Sequence, residues 1–210
     1  MSNNFISPHN LPLISDYLTR RETSIASLIG ELSLSDLATT SDVEREKVRI
    51  EKEILLTPVE LGEIEFIACE TLKSGSLQKE NETAKVNNQF THRLSIPFIG
   101  DKVLFTCSPV GGVSKSPKPV VIIPIKNTII INIALNEYNP QLAIHSAMEQ
   151  MGETLDLLEK NNSTAIEWNK KAKQQISELL RAKFDQISNS SNAKTYTMDS
   201  KKNPFQKREA

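Results

Sequence analysis

The sequence predicts an α+β protein: N-terminal helices, a five- to six-strand antiparallel sheet, then a long C-terminal helix or helix pair and a disordered basic tail. Three observations predict it. Apolar residues between 16 and 57 recur at helical steps. Those between 58 and 136 alternate with polar ones. From Pro140 to Ile187 no further proline occurs, and the only glycine is Gly152.

Residues 1–15 are polar, carry Pro8 and Pro12, and read as a flexible arm. From Asp16, residues Tyr17, Leu18, Ile25, Leu28, Ile29 and Leu32 form a helical stripe, which Gly30 weakens. Ser33-Leu34-Ser35-Asp36 reads as a break. Ser41 and Glu44 fit a capping box that opens a charge-dense helix from Asp42 to about Leu56. Pro58 ends it.

The β-region spans 58–136. Ile64, Phe66 and Ala68 share one phase, and Gly62 marks an expected bulge. Glu60, Glu63 and Glu65 read as charges that protect an edge strand. Residues 73–88 read as a loop. Phe90, His92, Leu94, Ile96 and Phe98 alternate as a second strand, Gly100-Asp101 is a turn, and Val103 to Phe105 is a short strand. Residues 109–119 are turn-rich. In Val120 to Leu135, two Ile-rich runs flank Lys126-Asn127 at hairpin spacing, with a loop a residue or two longer than the tightest turn. Pro124 places its strand at an edge or bulge.

Residues 137–188 carry the strongest signal. A continuous helix here would be roughly 70 Å long at 1.5 Å per residue, against a diameter of about 30–40 Å for a domain of this size. It must bend, protrude or lie on another chain. Leu155 with Leu158, Asn162 with Ala165, Asn169 with Ala172, and Ile176 with Leu179 repeat every seven residues as a coiled-coil-like seam. The alternative is an α-hairpin broken at Asn161-Asn162-Ser163, with Ser163 or Thr164 and Glu167 capping a second helix. Expected contact residues are Ile144, Met148, Met151, Leu155, Leu158, Trp168, Ile176 and Leu179. Residues 189–210 lack periodicity and read as a disordered tail.

Composition narrows function. Aromatic residues are only 5% of the chain, so the core must be aliphatic. The net charge of −1 gives no global attraction to nucleic acid. From Lys170 to Arg208, however, ten basic residues face three acids. Lys170, Lys171, Lys173, Arg181, Lys183, Lys201, Lys202, Lys207 and Arg208 are therefore candidate phosphate contacts. Cys69 and Cys107 read as buried free thiols. His9, His92 and His145 lie outside metal-ligand spacing. His92 faces a core or a partner, and His145 pairs with Glu149 one turn on. Gly111-Gly112-Val113-Ser114-Lys115-Ser116 lacks phosphate-loop spacing, and Pro117 and Pro119 oppose a following helix. Asn81-Glu82-Thr83 and Asn162-Ser163-Thr164 are chance glycosylation sequons. The first residues lack a secretion signal, and no apolar run reaches membrane-spanning length, so a cytoplasmic location is expected.

No catalytic, cofactor or metal motif emerges. The leading expectation is a non-enzymatic interaction or assembly subunit, binding its own copies or a larger protein partner through its long helices. One alternative is a nucleic-acid-associated factor using the basic tail. Another is a ligand sensor or enzyme with a site in the β-region, near His92 and the 109–119 loop.

Overall fold

The computed structural model describes residues 5–74, 87–109 and 121–199. It is α+β, with strands β1 (Phe5–Ile6), β2 (Glu60–Leu61), β3 (Glu65–Ser74), β4 (Asn87–Ile99), β5 (Val121–Ile122) and β6 (Thr128–Leu135). The helices are α1 (Ile14–Gly30), α2 (Thr40–Ile54) and α3 (Pro140–Asp199). Two compact units result: residues 1–18 with 56–167, here the β-unit, and residues 19–55 with 168–210, the helical unit.

The six strands divide between two antiparallel sheets rather than forming one. In the larger, β4 is the centre. It pairs with β6 on one side and with β2 and β3 on the other. β3 and β4 extend their ladder to Ser74↔Asn87, so the expected loop at 73–88 begins and ends inside strands. Its middle lies outside the described residues, as does most of 109–119.

The expected hairpin between the Ile-rich runs is corrected. Lys126, at φ 56°, and Asn127 make a tight two-residue turn, closed by Ile125 and Thr128. Beyond it the ladder stops, because Pro124 has no N–H to offer. Val121 and Ile122 pair instead with Ile6 and Phe5. The N-terminal arm is thereby tied down. Ser108 holds it further, accepting from Ile14 N–H and donating its own N–H to Pro12. Val103 to Phe105 is not a strand either. Residues Lys102–Phe105 form a 3-10 turn that buries Leu104 and Phe105 completely. Phe105 packs its ring 4.8 Å from that of Phe98. Gly100 lets this turn start. At φ 105°, it lies so close to Pro58 that any Cβ would strike the Pro58 carbonyl.

The β-unit core is the inner face of β4 and β6: Leu94, Ile96 and Phe98 beside Ile129, Ile131 and Ile133. Each such side chain contributes about 1.5–3 kcal/mol on burial. The first part of α3 adds Ala143, Ala147, Met151, Leu157, Leu158 and Ala165.

α3 is one helix of 60 residues, not a hairpin. The asparagines that suggested a break are used in tertiary bonds. Asn161 is fully buried, and its amide donates to the carbonyls of Leu104 and Cys107, both at 2.8 Å. Asn162 brackets Val59, accepting from its N–H and donating to its carbonyl, each at 2.8 Å. Thr164 bonds back to the Lys160 carbonyl rather than capping a new helix. The helix also continues through Asp199 where a tail was expected. No glycine follows Gly152 and no proline interrupts before Pro204, so propagation continues. Residues 200–210 lie outside the described residues.

In the helical unit, α2 starts two residues earlier than expected. Thr39 is the cap: its hydroxyl accepts from the Asp42 N–H, and the Asp42 carboxylate accepts from the Thr39 N–H. A T-x-x-D box does what Ser41 and Glu44 were expected to do. Ile25, Ile29, Leu37, Ile50 and Ile54 fill this core with Trp168, Ala172, Ile176 and Leu180 of α3. The Trp168 indole donates to Glu22 at 3.0 Å, and Lys183 donates to the exposed Gly30 carbonyl at the end of α1.

Candidate functional site

The expected contact residues on α3 separate by burial. Met151, Leu158, Trp168 and Ile176 lie in the chain's own cores. Ile144, Leu155 and Leu179 are half-buried, and only Met148, 47% exposed, stands open to solvent. The buried stripe runs through positions 147, 151, 154, 158, 161, 165, 168 and 172, alternating steps of four and three. Its polar members are Thr154 and Asn161, not Asn162 and Asn169 as the expected seam has it. Thr154 accepts the Ile122 N–H at 3.0 Å. Small alanines and two polar residues that satisfy backbone groups occupy positions where larger apolar residues pointed the reading elsewhere.

Among the candidate phosphate contacts, Lys170, Lys171, Lys173 and Arg181 are exposed on α3, while Lys183 is engaged at Gly30. Lys201, Lys202, Lys207 and Arg208 lie outside the described residues. His145 and Glu149 make the expected one-turn contact at 3.4 Å, both well exposed.

A different surface gathers more chemistry. Among the described residues, both β3 and β6 are edges of the larger sheet. They differ in cover. Every residue of β6 except Ala134 is buried or half-buried, whereas Glu65, Phe66, Ile67, Glu70 and Thr71 of β3 are exposed. Among the described residues no strand pairs with the outer side of β3, which leaves its outward backbone groups without a ladder partner.

Irregularities shape this edge. From Leu61↔Phe98 to Glu65↔Ser95, the β2–β3 segment advances four residues while β4 advances three. The extra residue falls in the stretch after Gly62, where the sequence places a bulge. Gly62 N–H donates to Pro97, and a Cβ there would come within 2.9 Å of the proline ring. A second register shift, between Phe66 and Ala68, has no glycine to announce it. It leaves Ile67 unpaired and 50% exposed, and it moves Cys69, instead of Ala68, opposite His92.

A recess and an aromatic cluster flank the edge. A hollow of about 260 Å³ opens at β2, lined by Glu60, Leu61, Gly62, Pro97, Phe98 and Ile99, and mostly apolar. Along β3, His92 is fully buried, as its phase with Leu94 predicts. Its ring stacks on Tyr138 at 5.6 Å and meets the edge of Phe66 at 6.1 Å; Phe66 and Tyr138 also touch. Tyr138 keeps 60% of its surface exposed.

His92 is fixed by the start of α3. Asn139 caps that helix, its side-chain oxygen accepting the Leu142 N–H, with Pro140 in the first helical position. The Asn139 backbone N–H donates to His92 Nε2 at 3.1 Å. In that bond the imidazole is neutral and carries its proton on Nδ1, where no acceptor meets it. Glu60, Glu63, Glu65 and Glu70 are all exposed along the same edge, giving it a negative rim.

Sequence reasoning found the histidine and the glutamates but not Tyr138 or the second bulge. Tyr138 lies in a short polar turn, with no periodicity to mark it. Among the described residues no group of three potential ligands could hold a metal ion, and no helix is long and apolar enough to cross a membrane. No family model, curated protein or solved structure matches the chain.

Proposed function

We propose that this protein is a non-enzymatic interaction subunit that takes up a basic, extended segment of a partner protein along the β2–β3 edge. One observation carries this reading: among the described residues, β3 is the edge of the larger sheet whose side chains are mostly exposed, and it is rimmed by carboxylates. Strand addition supplies affinity through main-chain hydrogen bonds, and recesses beside the edge supply selectivity. The β2 hollow is such a recess, and the exposed rings of Phe66 and Tyr138 offer an apolar contact beside β3. Lysine or arginine on the incoming segment would face Glu65 and Glu70. The interaction role read from the long helix is retained, with the surface moved, because half of the helix residues expected to contact a partner are buried in the chain's own cores.

Fluorescence anisotropy of the full chain with a labelled peptide of alternating valine and lysine tests the reading. Binding is expected, weakening as salt rises, and the double variant Glu65→Lys, Glu70→Lys lowers affinity roughly tenfold. Equal binding of an alternating valine–glutamate peptide, or no binding of either, would refute it.

A further inference from the structure

The second bulge on β3 does more than bend an edge: it brings a thiol and an unpaired donor onto one face. Directly opposed residues in an antiparallel pair have Cβ atoms about 4.5–5.5 Å apart and project to the same side. The register Cys69↔His92 makes such a pair. Phe66, which contacts the His92 ring, confirms the face, since its own partner Leu94 lies two residues from His92 on β4.

The two partners are each incomplete. Cys69 is half-buried and free, whereas Cys107 is buried. His92 is fully buried, held through Nε2 by Asn139, and its Nδ1–H meets no acceptor, the Cys69 sulfur included. A buried donor left unmatched costs about 1–3 kcal/mol. An oxygen atom added to the sulfur of the directly opposed Cys69 would supply an acceptor on the strand that faces that donor.

We propose that Cys69 is a peroxide-oxidisable thiol whose sulfenic product is held by the Nδ1–H of His92. The co-reactant is a hydroperoxide. The thiolate sulfur attacks the outer peroxide oxygen; an S–O bond forms and the O–O bond breaks. The electron pair leaves with the other oxygen, which takes up the proton released by the thiol. Sulfur is oxidised by two electrons and the peroxide is reduced to water or an alcohol. Cys107 is the internal contrast. It is 1% exposed, and burial pushes its thiol pKa up, away from the nucleophilic form. The inference is independent of whether the edge takes up a partner strand.

The test treats the reduced full chain with one equivalent of hydrogen peroxide, traps sulfenic acid with a 1,3-diketone probe, and counts adducts at each cysteine by mass spectrometry. Cys69 is expected to label at least roughly tenfold more than Cys107. His92→Gln keeps an acceptor near Nε2 but removes the Nδ1 donor, and should lower the Cys69 adduct about tenfold, the worth of one hydrogen bond to an oxyanion. A second readout needs no variant of His92: the imidazole Nδ1–H resonance of the wild-type chain should shift on oxidation, and should not shift in Cys69→Ser. Equal labelling of the two cysteines, unchanged labelling in folded His92→Gln, or an unmoved Nδ1–H resonance would each overturn the proposal.

Discussion

The helical unit closes over its apolar residues; the β-unit does not. Among the described residues, Leu34 and Val48 are the strongly exposed large apolar side chains of the helical unit. The β-unit exposes ten, with Phe66, Ile67, Ile99, Tyr138 and Leu142 among them. Scattered apolar exposure is ordinary, but Phe66, Ile67 and Tyr138 surround one open strand edge. The difference favours the sheet over the helices as the place of the proposed partner-binding surface. In the helical unit, charge covers what is not buried. Glu46, almost fully buried on α2, bonds Arg49 at 2.7 Å, and Arg45 bonds Asp42 at 2.8 Å.

The contrast is broken or sharpened by substitution. The largest effect belongs to the sealed unit. Ile176→Ala leaves a cavity at a fully buried site and should cost about 2–5 kcal/mol in chemical denaturation. Within the β-unit, Asn161→Ala removes the donor to Leu104 and Cys107 and should cost about 1–3 kcal/mol, with faster amide exchange around Lys102–Phe105. Ile67→Thr on the open edge should change stability by less than about 0.5 kcal/mol. If it costs as much as Asn161→Ala, the edge is not open and the comparison fails.

A smaller, pH-dependent effect concerns the start of α2. The Thr39 hydroxyl beside Asp42 holds its carboxyl below the usual aspartate range, with Arg45 adding to the effect. A carboxyl with a depressed folded-state pKa adds stability that is complete above its unfolded value, about 3.9, and is lost as pH falls through the folded value. Asp42→Asn should therefore flatten the acid limb of the stability profile below about pH 4 and leave its neutral limb parallel to wild type. Thermal melts across that range check it. Smallest of all, Met148→Ala should change stability by less than about 0.5 kcal/mol despite its place on the predicted seam, because Met148 is exposed.

What the sequence made legible follows the same division. The helices are readable because their information is local: a 3.6-residue stripe, a glycine that weakens α1 and at which it ends, a proline at the start of α3. The sequence seam places the buried stripe of α3 one residue late at Thr154, Asn161 and Trp168, since Leu155, Leu157 and Leu158 support competing registers and alanines carry little hydrophobic weight. The β-unit depends on partners distant in sequence. Nothing near Val121 announces Phe5 and Ile6, and nothing near Val103 says that it lacks a neighbouring strand. Gly62 flagged one irregularity, whereas the shift at Ile67 is set by pairing alone. His92 was placed by alternation, but its lid, Tyr138, and its anchor, the Asn139 backbone, come from the far end of β6.

The most direct test of the open edge is hydrogen–deuterium exchange of the full chain with and without saturating valine–lysine peptide. Strand addition predicts new protection at alternate amides of Glu65–Ser74, whose outward N–H groups would gain partners, and none in β6 or α2. Protection confined to α3, or no change in β3 at saturation, would contradict the account.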